Sequence, residues 1–365
     1  MHSPQKVILF FITSVLSLAF SPGPKPPKKD IYTAKGRIEK ADNSSIILIG
    51  SASSVTFGFK GTTCTLNLQA SDTRPHHNYV VIEVDGQYYS RKKIMPAGTK
   101  VEVIVPTGSH TLSVYKATEA ANGNVVFKDA EGDIFRAIEK PKKKIEFIGD
   151  SITCGMGNDL TEIPCGTGEW YDQHNAYYSY APITARALGA DYLLSSVSGI
   201  GMYRNWNDEH DKEAIMPDVY EHLYLNKDNP VPYPFGYNAA ITCIALGTND
   251  FSDGDGKKQR LPFNEDKYVA NYVKFITMIY SHSPNTRIVM LTSPMVTGEK
   301  SGRFIKCLNR VKQEVDVLKG HKPAQVFTFT AVTPHGCGSH PEIEDDKLMA
   351  AQLAPFLKTL LNDKK

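Results

Sequence analysis

The sequence predicts an all-β domain followed by an α/β domain that contains a parallel sheet. From about residue 30 to 140, short stretches alternate apolar and polar residues, turn signals separate them, and helical periodicity is absent. From 141 to 365, short apolar strands alternate with longer helical patterns, which is typical of parallel sheets. The length of 365 residues also favours two domains over one.

The first residues resemble a targeting segment more than part of a fold. One lysine precedes an almost wholly apolar run, Val7 to Phe20, and small residues follow at its end. This run is shorter than the ~20 residues of a membrane-spanning helix and has the pattern of a signal peptide. We therefore expect a signal peptide (1–21), a Pro- and Lys-rich linker (22–29), and a secreted or periplasmic protein without membrane attachment after cleavage. An uncleaved N-terminal anchor is the alternative.

Charge and cysteine content limit the classes of partner and site. The 41 basic and 39 acidic residues nearly balance, which gives no reason to expect a nucleic acid or a membrane surface as partner. None of the six cysteines has zinc-ligand spacing. Cys154 and Cys165 are close in sequence and are the best candidates for a disulfide, whereas free buried thiols are the alternative. The composition carries no signal for the oligomeric state.

The all-β domain (30–140) is predicted from three segments. Ser53 to Leu68 alternates apolar and polar residues. Tyr79 to Tyr89 reads as a hairpin around Asp85-Gly86, and Val101 to Tyr115 repeats this pattern around Pro106-Thr107-Gly108. Such spacing predicts a β-sandwich of jelly-roll type.

The α/β domain (141–365) is predicted from short apolar strands separated by helices, so that helices cover both faces of the sheet. The strands are Ile145–Ile148, Tyr192–Val197, Ala240–Leu246, Arg287–Leu291 and Gln325–Thr330. The helices are Ala176–Leu188, Glu265–Ser281, Arg303–Leu318 and Asp346–Leu361.

Chemically capable residues follow four of these strands, where open parallel sheets gather their active groups. Ser151 lies at a strand-to-helix turn, which exposes its hydroxyl near helical N–H groups. Gly199 lets a ligand approach a backbone N–H, and the amide of Asn249 can donate to an oxyanion. His340 precedes the last helix and is the natural base for a serine. Each signal alone also fits a cap, a turn or a solvated histidine.

Taken together in the order Ser, Gly, Asn, His, the four blocks resemble the SGNH hydrolases, chiefly through FIGDSITCGMGN (147–158) and ALGTNDFS (245–252). A β-sandwich ahead of these blocks, SGIGMYRN (198–205) and the final GC-x-x-HP resemble the second family of carbohydrate esterases. The resemblance covers nearly all of the chain after the linker. It implies a three-layer α/β/α domain, with Ser151 as nucleophile, His340 as base and the oxyanion held by Gly199 and Asn249. Gly201 is the alternative glycine.

One position departs from the family pattern. SGNH enzymes usually carry an Asp three residues before the histidine, or in some relatives two, and here these positions are Cys337 and Gly338. The hypothesis is a Ser–His dyad in which a backbone carbonyl holds the second ring N–H of His340. Glu342 and Glu344 are nearby acids that could replace the missing one.

The resemblance implies an esterase that removes acetyl groups from polysaccharides such as xylan and glucomannan. The chemistry needs no cofactor or metal, and the sequence contains no phosphate-binding loop. Two other functions stay open: carbohydrate binding without catalysis, and hydrolysis of lipid or simple acyl esters. The aromatic residues near the blocks either stack on sugar rings or pack in the fold; they are Trp170, Tyr203 and Trp206.

Overall fold

The computed structural model describes residues 31–41, 45–138 and 140–363, so the predicted signal peptide and linker lie outside the described residues. Within those ranges, no helix is both long and apolar enough to cross a bilayer.

The first eight strands form an antiparallel β-sandwich, as the alternating pattern predicts. They are β1 (Thr33–Lys35), β2 (Ile38–Lys40), β3 (Ile46–Leu48), β4 (Ser54–Ser71), β5 (Asn78–Val84), β6 (Gln87–Ile94), β7 (Thr99–Lys116) and β8 (Asn124–Phe135). Their order is β2-β3-β8-β4-β7-β5-β6, and β1 pairs with β4. Alternate residues of the long strands meet in an apolar core that includes Phe57, Leu66, Val103 and Phe127.

One predicted turn is present and another is not. Asp85 and Gly86 both have positive φ, 53° and 77°, and connect β5 to β6 as a hairpin turn. The turn expected at Pro106-Thr107-Gly108 is wrong, because β7 runs through it as one strand. The ladder with β4 is irregular there, with Gly61 opposite Gly108 and Thr63 opposite Ile104. A proline has no N–H for a ladder, so it fits such a bulge.

The second half of the chain forms a five-stranded parallel sheet with flanking helices, which confirms the predicted fold class. The strands are β9 (Lys144–Gly149), β10 (Asp191–Ser196), β11 (Ile241–Ala245), β12 (Arg287–Leu291) and β13 (Gln325–Phe327). The helices are α1 (Ser151–Cys154), α2 (Tyr180–Ala187), α3 (Met216–Val219), α4 (Thr248–Phe251), α5 (Glu265–His282), α6 (Gly298–Asp316) and α7 (Ile343–Asn362). The strand order is β10-β9-β11-β12-β13.

Alternation along the strands sends apolar side chains to both faces of this sheet. Phe147 packs toward α2 and α7, in a cluster with Tyr180 and Leu353. Its neighbour Ile148 packs toward α5 and α6, in a cluster with Tyr272 and Phe304. Burial on both faces explains why these strands are nearly continuous apolar runs.

The sandwich and the parallel sheet share a buried interface. All seven residues of β5 are buried, because one of its faces fills the sandwich core and the other packs on Tyr171 and Tyr177. Arg37, which is fully buried, reaches across from the sandwich and donates hydrogen bonds to Ser195 Oγ and to the carbonyl of Tyr220. The two layers therefore hold each other in a fixed arrangement.

Candidate active site

The four sequence-predicted site residues lie together at one edge of the parallel sheet. Ser151 follows β9, whereas Gly199 and Asn249 follow β10 and β11, the two strands that flank β9. His340 comes from the loop before α7. All four line one cavity of 430 Å³. Adjacent parallel strands end at the same edge, so residues distant in sequence converge there.

Ser151 is the first residue of α1. The preceding Asp150 caps this helix, because its carboxylate accepts the N–H of Ile152 at 3.1 Å. Gly155, with φ 70°, ends the helix after a single turn. A β-carbon there would lie 2.7 Å from the carbonyl oxygen of Asn175, so the tight turn requires glycine. The cap and the glycine together fix the position of the hydroxyl.

His340 contacts Ser151 through one ring nitrogen and backbone through the other. Its Nε2 lies 2.8 Å from Ser151 Oγ. Its Nδ1 lies 3.0 Å from the carbonyl oxygen of Gly338 and 3.2 Å from that of Cys337. A carbonyl oxygen only accepts, so these partners place the proton on Nδ1. Nε2 is then free to accept the hydroxyl proton of Ser151.

The environment of His340 favours the neutral ring. Burial lowers the pKa of His340 below its ordinary value of 6.5, although the Gly338 and Cys337 carbonyls oppose this effect. The residue is only 9 % exposed. Glu344, one of the two acids suggested as a replacement for the missing Asp, instead accepts a hydrogen bond from Lys347 at 2.7 Å.

The predicted pairing of Cys154 with Cys165 is wrong. Cys165 bonds to Cys337, 172 residues away, and Cys154 is a buried free thiol at the end of α1. The N–H of Cys337 also donates to the carbonyl of Gly157 at 2.9 Å. The loop that follows α1 thus contacts the turn before His340. The disulfide anchors Cys337, whose carbonyl oxygen accepts a hydrogen bond from the Nδ1–H of His340.

Three groups are placed to donate to an oxyanion beside Ser151. In the part of the chain that the structure describes, the N–H groups of Ser151 and Gly199 make no hydrogen bond to protein. The Asn249 amide uses one N–H on the carbonyl of Ile200, at 2.8 Å, which orients the second. The N–H of the alternative glycine, Gly201, already donates to Asn205 Oδ1 at 3.0 Å. The geometry therefore favours Gly199.

Asp250, the residue after Asn249 in the block ALGTNDFS (245–252), organises the turn that carries the glycines. Its buried carboxylate accepts N–H groups of Met202 at 2.9 Å, Tyr203 at 2.8 Å and Arg204 at 3.2 Å. Burial raises the pKa of Asp250 to about 6, while these three N–H groups lower it. The position of Asp250 beside Asn249 is visible in the sequence. Its three N–H partners, which lie more than 40 residues away, are known only from the fold.

The three aromatic residues near the blocks have different environments. Tyr203 is 8 % exposed and packs edge-on against Phe263 and Tyr268, so stacking on a sugar is wrong for this residue. Trp206 is 45 % exposed and lines the cavity with Ser151. Trp170 is 50 % exposed and packs edge-on against His174.

Among the described residues, one group has metal-ligand character: His335, Glu342 and Asp345. Asp345 accepts the N–H of His335 at 2.8 Å and that of Glu342 at 3.0 Å, and its second oxygen lies 2.9 Å from His335 Nδ1. Its oxygens thus already serve to cap α7. These contacts explain the cluster without an ion.

Comparison with known families matches both halves of the chain. Residues 34–141 match the family described as carbohydrate esterase 2 N-terminal, and residues 147–334 match the GDSL-like lipase/acylhydrolase family. The second match ends before His340.

The chain is similar to proteins of known activity. It is 32% identical over 268 residues to an acetylxylan esterase / glucomannan deacetylase of Cellvibrio japonicus, covering 71% of each chain. It is 28% identical over 337 residues to the cellulase/esterase CelE of Acetivibrio thermocellus, covering 89% of this chain and 39% of that protein. A family two carbohydrate esterase from Clostridium thermocellum, solved with cellohexaose, superposes with a TM-score of 0.78 at 27% identity, covering 90% of this chain and 99% of that one.

Loss of the disulfide should destabilise the fold. Cys165→Ser should reduce the free energy of unfolding by about 2–4 kcal/mol, because the unfolded chain regains the freedom of a long loop. Denaturant unfolding with and without a reducing agent measures this effect. Cys307→Ala, which removes a buried free thiol, is the control and should keep the wild-type sensitivity to reductant. Identical unfolding of the wild type in both conditions would contradict the prediction.

Proposed function

Because the chain belongs to carbohydrate esterase family 2, with a GDSL-like hydrolase domain, we propose that it removes O-acetyl groups from plant cell-wall polysaccharides of the xylan and glucomannan type. The named activity of the Cellvibrio japonicus relatives supports this substrate class. The cellohexaose bound to the Clostridium thermocellum homologue supports a polysaccharide chain as the partner.

The observation that carries the proposal is the 2.8 Å contact between Ser151 Oγ and His340 Nε2. This distance is within the range of a nucleophile and its general base. A protein that only binds carbohydrate has no need for a neutral imidazole aligned on a serine hydroxyl. The contact therefore favours catalysis over binding alone.

The reaction proceeds through an acyl-enzyme. As the Ser151 hydroxyl attacks the acetyl carbonyl, His340 Nε2 takes its proton, and a tetrahedral oxyanion forms. Collapse of this intermediate breaks the ester bond, and His340 returns the proton to the departing sugar oxygen, which leaves as a hydroxyl. Water then attacks the acetyl-serine with the same base, which releases acetate and restores Ser151.

The oxyanion is stabilised by donors already in place before the reaction. The Ser151 and Gly199 N–H groups and the Asn249 amide surround the position of the developing charge. Loss of one such donor costs about 10²–10³ in turnover in other serine hydrolases. The three donors act from three different turns, so their relative position depends on the packing of the sheet.

The dyad lacks the charge that an acid would supply. A carboxylate both orients a catalytic histidine and stabilises the imidazolium that forms. The carbonyls of Gly338 and Cys337 orient the ring, but as neutral dipoles they stabilise the imidazolium less. Because burial lowers the pKa of His340, the ring stays neutral near pH 7 and can act as a base.

We also propose that the protein is exported. The apolar N-terminal run has the signal-peptide pattern, and a disulfide such as Cys165–Cys337 persists in oxidising compartments. N-terminal sequencing of the mature protein from the periplasm or the medium should begin near residue 22. A mature protein that retains Met1 would contradict this proposal.

The esterase proposal is tested with 4-nitrophenyl acetate, followed by acetylated xylan and glucomannan. The parent protein should release acetate from all three, and Ser151→Ala and His340→Ala should each lose at least about 10³ of kcat, because neither partner of the dyad acts alone. Asn249→Ala should retain partial activity. If the parent is no faster than the two dyad variants but still binds the polymers, the protein binds carbohydrate without catalysis.

Two exposed tryptophans test the polysaccharide contact. Trp206→Ala should raise KM for an acetylated oligosaccharide roughly tenfold, equivalent to about 1.4 kcal/mol, because its ring lines the cavity and offers a face to a sugar. The effect on 4-nitrophenyl acetate should be smaller. Trp170→Ala is the matched control, since this side chain is about half exposed, as that of Trp206 is, but lies outside the cavity lining. Equal KM values for the two variants would refute the role of Trp206.

A further inference from the structure

A buried carboxylate from the β-sandwich contacts residues next to the active site. Glu119 lies on the short connection between β7 and β8, so it belongs to the first domain in sequence. Its side chain is nevertheless fully buried against the second domain. None of the catalytic steps uses this group.

The Glu119 carboxylate touches two elements that supply oxyanion donors. Its Oε2 accepts the backbone N–H of Ser198 at 2.5 Å, and Ser198 directly precedes Gly199. The same oxygen accepts the Cys154 thiol at 3.3 Å, and Cys154 lies in α1 with Ser151. One oxygen atom thus connects the turn that carries Gly199 to the helix that carries Ser151.

The surroundings keep Glu119 ionised. Burial would raise the pKa of Glu119, but His174 and the Ser198 N–H together lower it below its ordinary value. His174 Nε2 lies 3.7 Å from the second oxygen, Oε1, and is itself fully buried. Lys116 Nζ donates to the Glu119 backbone carbonyl at 2.5 Å, and burial lowers the pKa of Lys116 to about 7. A charged acceptor holds an N–H more firmly than a neutral one.

We propose that Glu119 is a positioning residue for the oxyanion site, through which the β-sandwich sets the distance between the Ser151 and Gly199 N–H groups. The inference rests on the proposed esterase function. It gives the sandwich a part in the reaction itself, in addition to any part in holding the polysaccharide.

The chemistry of the site explains why a carboxylate is needed there. An oxyanion site works only if its donors are in place before charge develops. Gly199 has no side chain that could pack and hold its backbone N–H in one direction. Its φ is 77°, and glycine changes easily from positive φ to other backbone conformations. Anchoring the preceding N–H, that of Ser198, restricts this motion. A misplacement of about 1 Å in such a site can cost 10² in rate.

The test compares Glu119→Gln and Glu119→Ala with Glu83→Gln, an isosteric substitution of another buried carboxylate of the sandwich. Glu119→Gln keeps the volume and one acceptor but removes the charge, and Glu119→Ala removes both. Glu83→Gln is the control, because Glu83 is also buried, lies in β5, and accepts a hydrogen bond from Tyr177 of the second domain at 2.8 Å without touching either donor element. Each protein is assayed for kcat and KM on 4-nitrophenyl acetate and an acetylated oligosaccharide, and for thermal unfolding.

The proposal predicts that kcat falls about tenfold in Glu119→Gln and about 10² in Glu119→Ala, with KM for the oligosaccharide unchanged in both. Glu83→Gln should keep the parental kcat. Equal kcat in the Glu119 and Glu83 variants would overturn the inference and leave the esterase proposal intact. Loss of the folded state in both Glu119 variants would also overturn it, since the side chain would then support the whole fold. An inactive parent protein would instead refute the esterase proposal.

Discussion

The contact between His340 Nδ1 and two backbone carbonyl oxygens is the constraint on which the rest of the site depends. Because the Cys337 and Gly338 carbonyls can only accept, they determine which ring nitrogen carries the proton and leave Nε2 facing Ser151. The Cys165–Cys337 disulfide fixes the turn that carries these carbonyls. Backbone geometry thus replaces the usual acid in orienting the ring.

The β-sandwich supports both halves of this site. Arg91, in β6, donates to the carbonyls of Asp172 at 2.6 Å and His174 at 3.0 Å, in the loop between α1 and α2. Cys165 belongs to the same loop, so the sandwich supports the disulfide that anchors the turn before His340. Glu119 contacts the turn that carries the oxyanion glycine, where its carboxylate accepts the Ser198 N–H. Residues of both domains therefore contact the segments that carry the groups of the active site.

The residues of the site that could be predicted from sequence are those whose position follows from strand ends. Ser151 and Asn249 directly follow apolar strands, and the carboxyl ends of neighbouring parallel strands must meet. The residues that could not be predicted depend on contacts between distant segments. Cys165 meets Cys337 across 172 residues, and the burial of Tyr203 is set by helix packing. Glu119 of the first domain contacts Cys154 and Ser198 of the second domain. The pattern of apolar residues within either domain does not predict such contacts.

The protonation state of His340 can be measured by ¹⁵N NMR of histidine-labelled protein, with His340→Ala used to assign the signal. We expect a neutral ring at pH 7 that carries its proton on Nδ1, and a titration midpoint below 6.5. A ring protonated on Nε2, or an imidazolium that persists at pH 7, would show that the backbone carbonyls do not prepare His340 to accept the Ser151 proton.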